Sequence, residues 1–166
     1  MTVDSYKFLP KSFRAGYEST PMQESETVWA PLGKPASEAT VALITSAGIY
    51  LKAGQEPFDI EREKRDPTWG DPTYRAIPRG TLQAAIDATH LHINTRDVKE
   101  DLNVALPIRA FATLEADGTI GALAEEHYSF MGFQQAGADE WRSHYGPEVA
   151  ERCKQADVDA VVLAPA

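Results

Sequence analysis

Two histidines separated by one residue form the densest group of chemically capable side chains in the sequence. Alternation along a strand would place His90, His92 and Asn94 on one face, with the two imidazoles about 7 Å apart. Such a pair can bind a metal, or it can transfer protons and anchor a carboxylate. The nearby carboxylates Asp97 and Asp101 would each orient one imidazole through its second ring nitrogen. The alternative is an ordinary half-exposed strand followed by a hydrated loop.

Two further clusters combine hydroxyl groups, an imidazole and small residues. Ser46 and Gly48 follow an apolar run, and small residues at the end of a strand let a ligand approach backbone donors. This predicts the floor of a pocket, with a tight turn as the alternative. In the second cluster His127 offers an acid or a base, next to the hydroxyls of Tyr128 and Ser129. The alternative there is a helix end that contains a core aromatic side chain.

Continuous apolar runs indicate the fold class. Residues 40–46 and 158–163 are rich in β-branched side chains, as is typical of strands covered on both faces. A helix predicted over residues 147–154 leads into the second run, which makes half of a βαβ unit. The sequence therefore predicts an α/β domain over residues 40–166, with a mostly parallel or mixed sheet flanked by helices. An irregular, proline-rich N-terminal arm is expected over residues 1–39.

Weaker patterns predict the shorter elements. A strand is predicted over residues 90–94, and residues 81–89 could form a short helix that leads into it. Residues 106–114 have a helical pattern, and a short helix is predicted within the arm, around residues 6–18.

Composition excludes several classes of protein. The 166 residues carry 16 Lys and Arg against 25 Asp and Glu, a formal net charge of −9, which disfavours nucleic acid or an anionic membrane as a partner. A single cysteine, Cys153, excludes an intramolecular disulfide and is expected to be a small buried side chain. The sequence shows no signal-peptide pattern and no apolar stretch of membrane-spanning length. We expect a cytoplasmic protein.

Five stretches resemble one known family, the B-component selenoproteins of glycine, sarcosine, betaine and D-proline reductases. The resemblance implies reductive cleavage of a C–N bond in a small amino acid or its N-methylated relative. A selenolate or thiolate attacks the α-carbon, a partner subunit that can carry a pyruvoyl group holds the substrate as an imine, and a dithiol discharges the intermediate. No cofactor is expected in this chain itself. The stretches are residues 29–59, 70–80, 90–107, 120–133 and 147–166.

The resemblance also exposes a departure from the family. In these proteins the redox motif, a selenocysteine or cysteine with a second cysteine close by, directly follows the strand that here covers residues 159–163. This sequence has no second cysteine and reaches only Ala166, so we expect the chain to be catalytically incomplete alone. A selenocysteine codon at that point, a partner that supplies the rest, or a divergent member without redox function would each account for this. The expected partners are a reductase subunit or further copies of the chain.

Position near the motif strand supports a set of site roles. Two alternatives stay open: a metal-dependent hydrolase or lyase that uses three histidines, and a non-catalytic partner subunit. The catalytic candidates are His90, His92, His127 and Asp97. The three histidines of this set are the metal ligands in the hydrolase or lyase alternative. The substrate-binding candidates are Ser46 and Gly48 for the floor, Arg96 for a substrate carboxylate, Asp101 and Asn103 for positioning, and Tyr128 and Ser129 for the opposite wall.

Overall fold

The computed structural model describes Lys11 and residues 30–134, 136 and 138–166, and its larger compact unit runs from Leu32 to Ala166. The helix predicted around residues 6–18 and most of the predicted arm lie outside the described residues. The described residues form seven strands: β1 Thr40–Thr45, β2 Ile49–Leu51, β3 Arg75–Pro78, β4 Ile86–Ala88, β5 Ala122–Leu123, β6 Glu126–Ser129 and β7 Ala160–Ala164. The α-helices that the structure describes between residues 30 and 166 are α1 Ile60–Arg65, α2 Arg96–Glu100, α3 Ile108–Ala116, α4 Ala138–Glu140 and α5 Gly146–Gln155.

Short helical segments of other types complete the unit. Three 3₁₀ turns cover Ala36–Glu38, Gln83–Ala85 and Leu102–Val104, and a π-helical segment, Trp141–Tyr145, joins α4 to α5. None of the described helices is both long and apolar enough to cross a lipid bilayer.

Strand β1 is the centre of a mixed five-stranded sheet. On one edge it pairs in parallel with β5 at its start and with β6 at its end, and β3 extends the sheet antiparallel to β6. On its other edge β1 pairs in parallel with the whole of β7. A separate antiparallel pair joins β2 to β4. The predicted α/β class and mixed sheet are confirmed.

The core lies on both faces of β1, as the continuous apolar run predicts. Alternate side chains enter different clusters: Val41 and Leu43 pack in one, and Ala42 packs in the other beneath α5. Edge strand β7 differs, because Val161 and Leu163 remain 41% and 69% exposed. The predicted strand is therefore present, but the expectation that both its faces are covered is wrong for the residues that the structure describes.

The predictions for residues 81–94 are wrong. Residues 81–89 form a 3₁₀ turn and β4 rather than a helix, and residues 90–94 form a loop rather than a strand. The reason lies at the end of the pairing between β4 and β2. The Thr89 amide still donates to the Gly48 carbonyl oxygen, at 2.9 Å, but Gly48, with φ +65°, turns the backbone next to β2 away from residues 90–94. The ladder consequently ends before His90. The helices predicted over residues 106–114 and 147–154 are present as α3 and α5, shifted by one to two residues.

His127 is a structural member of the sheet. Its side chain is fully buried, and its Nδ1 accepts a hydrogen bond from the Leu43 amide of β1, at 3.3 Å. This bond lies where the pairing of β1 changes from β5 to β6, so the ring replaces a backbone acceptor in the ladder. Burial, helped by the charge of Arg79, lowers the pKa of His127 from 6.5 to about 4.

This position generates a prediction for stability. An unfolded histidine titrates near pH 6.5 and the folded His127 near 4, so the unfolded chain binds more protons between these values. Stability should be complete above pH 6.5 and fall as the pH drops, by about 2 kcal/mol at pH 5. Urea unfolding at pH 7.5 and pH 5 measures the loss, which His127→Gln should remove while retaining an acceptor for Leu43.

Two further variants test the cause. His127→Leu removes the acceptor for the buried Leu43 amide and should lower the free energy of unfolding by about 1–3 kcal/mol at pH 7.5. His144→Gln alters an exposed imidazole of the π-helical segment and should leave both effects unchanged. An equal loss of stability between pH 7.5 and pH 5 in the wild type and His127→Gln would contradict the assignment.

Candidate functional site

The carboxyl ends of three parallel strands meet at one edge of the sheet. Thr45, the last residue of β1, is in register with Ser129 of β6 and Ala164 of β7. Just beyond this edge the Ser46 hydroxyl accepts a hydrogen bond from the Ala166 amide, at 2.9 Å, and lies within 3.3 Å of the Ala166 carbonyl oxygen as a donor. The chain following β7 is therefore held against the chain following β1, at the edge where α/β sheets bind ligands.

Gly48 fixes the histidine loop next to this edge. A Cβ at Gly48 would lie 2.1 Å from the Thr89 carbonyl oxygen, so only glycine lets the two backbones approach. Thr89 immediately precedes His90. The role supported for Gly48 is thus placement of the loop that carries His90 and His92 beside the end of β1.

A buried carboxylate contacts His92. The His92 Nε2 lies 3.0 Å from Oε1 of Glu63 on helix α1; the Glu63 side chain is 1% exposed and the His92 side chain is 50% exposed. Asp59 is the N-cap of helix α1: its Oδ1 accepts a hydrogen bond from the Arg62 amide, at 2.9 Å, and this cap fixes the turn that carries Glu63. Burial raises the pKa of Glu63, and the hydrogen bond and charge of His92 offset part of that rise. The pair can store and transfer a proton.

His90 contacts the backbone of His92. Its Nδ1 accepts the His92 amide hydrogen, at 3.1 Å, so a neutral His90 carries its proton on Nε2. That Nε2 is buried and has no partner within the part of the chain that the structure describes. Burial, together with the nearby His92, lowers the pKa of His90.

An aromatic contact joins the histidine loop to the strand ends. The His92 ring packs on Phe133, with centroids 4.6 Å apart, and Phe133 follows Gly132. A Cβ at Gly132 would lie 3.1 Å from the Ser46 hydroxyl oxygen and 2.9 Å from the Ala166 carbonyl oxygen. Ser46 and Ala166 therefore lie against Gly132, and His92 lies against the next residue, Phe133.

The acidic residues expected to orient the imidazoles do not contact them. Asp97 pairs with Arg96 across the exposed surface of α2, at 3.4 Å, and Arg96 is also 4.0 Å from Glu100. Their proposed roles toward a substrate stay predictions, but the expectation that Asp97 orients a histidine is wrong. Its place is taken by Glu63. Sequence reasoning missed Glu63 because it stands in the charged run IEREKR, which gives no sign that one carboxylate is buried.

Asp101 and Asn103 have a different local role. The Asn103 side-chain oxygen accepts from the Arg109 amide, at 3.0 Å, at the start of α3, while Asp101 accepts from the side chains of Asn103 and Arg109, at 2.8 and 2.7 Å. The Asn103 oxygen thus satisfies a backbone amide in the first turn of α3, and Asp101 holds the side chains of Asn103 and Arg109. The expectation that Asp101 orients an imidazole is therefore also wrong, and substrate positioning by this pair stays a prediction.

The second predicted wall is built into the sheet. Ser129 accepts the Ile49 amide at 2.7 Å, and Tyr128 packs edge-on against Tyr74, with centroids 5.8 Å apart. Both are buried, as is His127, and burial raises the pKa of Tyr128. No three His, Cys, Asp or Glu side chains among the described residues are grouped to hold a metal, so the three-histidine metal site is not formed.

The contact between Glu63 and His92 generates a prediction for carboxyl titration. Both contributions of His92 lower the pKa of Glu63, whose ordinary value is 4.5, so His92→Phe should raise that pKa further. Carbon-13 NMR of the glutamate carboxyl groups measures the change, and Glu63→Gln identifies the signal by removing it. Because the pKa of folded Glu63 lies above its unfolded value, the stability that the protonated carboxyl contributes is present below pH 4.5 and is lost as the pH rises from 4.5 through the folded pKa; the loss should be larger in His92→Phe.

A matched substitution tests whether the change in titration depends on the contact between His92 and Glu63. His144→Phe makes the same change at an exposed position and should leave the Glu63 titration in place. If the Glu63 signal moved to lower pH in His92→Phe, the hydrogen bond would not have the assigned effect.

Comparison with known proteins identifies the family of the chain. A family model described as glycine/sarcosine/betaine reductase selenoprotein B matches residues 7–166. The D-proline reductase subunit gamma of Acetoanaerobium sticklandii is 36% identical over 138 residues, which is 82% of this chain and 52% of that protein. The chain thus spans about half the length of that relative.

Two other relatives are more distant. The glycine reductase complex component B subunit gamma of Carboxydothermus hydrogenoformans is 26% identical over 133 residues, 80% of this chain and 29% of that protein. The betaine reductase complex component B subunit beta of Peptoclostridium acidaminophilum is 27% identical over 144 residues, 86% of this chain and 31% of that protein. No solved structure gave a significant match. The resemblance drawn from the five sequence stretches is confirmed: the chain belongs to the glycine/sarcosine/betaine reductase selenoprotein B family.

Proposed function

We propose that this chain binds the substrate and supplies the proton in an amino-acid reductase that cleaves a C–N bond. One observation carries the proposal: a half-exposed imidazole backed by a buried carboxylate, His92 on Glu63, lies beside the edge where β1, β6 and β7 end. The chain that leaves β7 is bound there through Ser46. By the family resemblance, the reacting selenium or sulfur follows β7, so acid and nucleophile would share one cleft.

A proton donor at this edge serves the reaction when the substrate nitrogen is uncharged before cleavage. When the nucleophile forms a bond to the α-carbon, the C–N bond breaks and its electron pair leaves with the nitrogen. An ammonium or quaternary nitrogen then leaves as a neutral amine, whereas an uncharged nitrogen has to take up a proton. A protonated His92 can give that proton, and the Glu63 carboxylate stabilises the positive charge of the ring until the proton is transferred. A dithiol then reduces the intermediate: one thiolate attacks the selenium or sulfur, and the α-carbon keeps the electron pair of the broken bond and takes up a proton. The second thiolate closes the disulfide and releases the nucleophile.

The single cysteine is poorly suited to be the nucleophile. Cys153 is 8% exposed on helix α5, within the cluster beneath Ala42, and burial raises the pKa of its thiol. We therefore assign the nucleophile to a segment or subunit outside this sequence. The names of the relatives, subunits or complex components of D-proline, glycine and betaine reductases, favour a multi-subunit assembly.

The substrate class and compartment follow from the same reasoning. The substrate would be a small amino acid or its N-methylated relative, with Arg96, 72% exposed on α2, as the proposed partner of its carboxylate. A pyruvoyl group, if one takes part, would belong to a partner subunit. Dithiol-dependent chemistry needs a reducing compartment, which favours the cytoplasm.

Binding to the isolated chain tests the proposal. We expect one of glycine, sarcosine, betaine or D-proline to shift the His90 and His92 ring resonances saturably in NMR titrations. His92→Gln should weaken the apparent affinity by about tenfold or more, since a hydrogen bond to a charged group contributes about 1.5–3 kcal/mol. His144→Gln, the same substitution at an exposed site, should leave the affinity unchanged.

Two results would overturn the proposed function. The first is the absence of any saturable shift at either imidazole with all four compounds. The second is equal affinity in the wild type and His92→Gln. In a separate assay, the chain with dithiothreitol alone should release no amine; turnover there would show that Cys153, or another group of this chain, acts as the nucleophile.

A further inference from the structure

The contact between Glu63 and His92 distinguishes the two nitrogens of the His92 ring. Nε2 points to the buried Glu63 carboxylate, at 3.0 Å, whereas Nδ1 makes no hydrogen bond within the described part of the chain and belongs to a half-exposed ring. A carboxylate only accepts hydrogen bonds, so an ionised Glu63 requires a proton on Nε2. In the neutral ring Nδ1 is then the bare nitrogen.

We propose that Glu63 is a positioning residue, which holds the His92 proton on Nε2 and leaves Nδ1 to exchange a proton with the ligand. This inference rests on the proposed function and adds the atom through which the proton moves. Glu63 acts through His92, because its own carboxylate is buried whereas the His92 ring is half-exposed.

The surroundings of Glu63 make His92 its main partner. Its second oxygen, Oε2, is buried without a hydrogen-bond partner among the described residues. An isolated buried carboxylate is costly, and the contact with the His92 ring reduces that cost. The nearby carboxylate of Asp71 has the opposite effect: its negative charge disfavours ionisation of Glu63 and raises the pKa of that group.

The remaining contacts fix the ring itself. The His92 amide donates to His90 Nδ1, and the His92 ring packs on Phe133, which limits rotation about the side-chain bonds. With Nε2 directed inward, Nδ1 is directed away from Glu63. In the proposed step the imidazolium gives its Nδ1 proton to the leaving amine and becomes neutral with its proton on Nε2; Glu63 stays ionised and no electrons are transferred to or from the pair.

Nitrogen-15 NMR of the full chain tests the assignment directly. Long-range proton–nitrogen spectra of the neutral rings should show protonated Nε2 and bare Nδ1 in more than nine-tenths of His92 side chains, with slow exchange of the Nε2 proton. Glu63→Met removes the acceptor and should produce a mixture of both tautomers with fast exchange. Glu63→Gln keeps an oxygen acceptor and should retain the tautomer, while amino-acid binding weakens because the charge is lost.

Glu61→Gln is the matched control, since Glu61 lies on the same helix with its side chain 73% exposed. It should leave the His92 tautomer and proton exchange unchanged. A wild-type His92 with a bare Nε2 and a proton on Nδ1, or the same tautomer ratio in Glu63→Met, would overturn the role of Glu63. The wild-type spectrum decides the first point even where a variant fails to fold.

The outcomes also separate the two proposals. Binding of an amino acid by a His92 that carries its proton on Nδ1 would leave the proposed function in place and remove the role of Glu63. A locked Nε2 tautomer with no binding of any amino acid would show the reverse: Glu63 positions the ring, and the proposed substrate class is wrong.

Discussion

The parallel pairing of β1 on both its edges is the constraint on which the site depends. A strand held by parallel neighbours on each side brings several carboxyl ends to one edge, so the chain segments that follow must share the space beyond it. Side chains on both faces of β1 enter apolar clusters, which fixes the register, because a slip of one residue would exchange the two faces. The positions of Ser46, Gly132 and Ala166 follow from this register.

Two buried titratable side chains illustrate different uses of burial. His127 accepts a backbone amide inside the sheet and is fully enclosed, so its low pKa reflects its place in the structure. Glu63 is equally hidden but is connected to solvent through the half-exposed ring of His92. A perturbed pKa therefore indicates a functional site only where the buried group has a route to a ligand.

Sequence reasoning predicted the long, regular parts of this molecule and the region of the site. Strand β1, strand β7 and helix α5 were predictable because their apolar patterns are continuous or helical over six or more residues. The loop that carries His90 and His92 was not, since its alternation resembles a strand and only the positive φ of Gly48 shows that the partner strand turns away. The burial of Glu63 depends on tertiary packing of a charged-looking helix, which no local pattern encodes.

Among the residues that the structure describes, β7 pairs with β1 alone, and its second edge has a consequence for the behaviour of the protein in solution. The segment from Ala160 to Ala164 carries no charge, no proline and no bulge, so it lacks the devices by which natural sheets discourage strand addition by neighbouring molecules. Val161 and Leu163 add exposed apolar surface at the same place. What opposes aggregation is the net charge of −9, whose long-range repulsion is screened beyond about 8–10 Å at moderate ionic strength. Colloidal stability should accordingly be greatest in dilute buffer and should decline as salt is added.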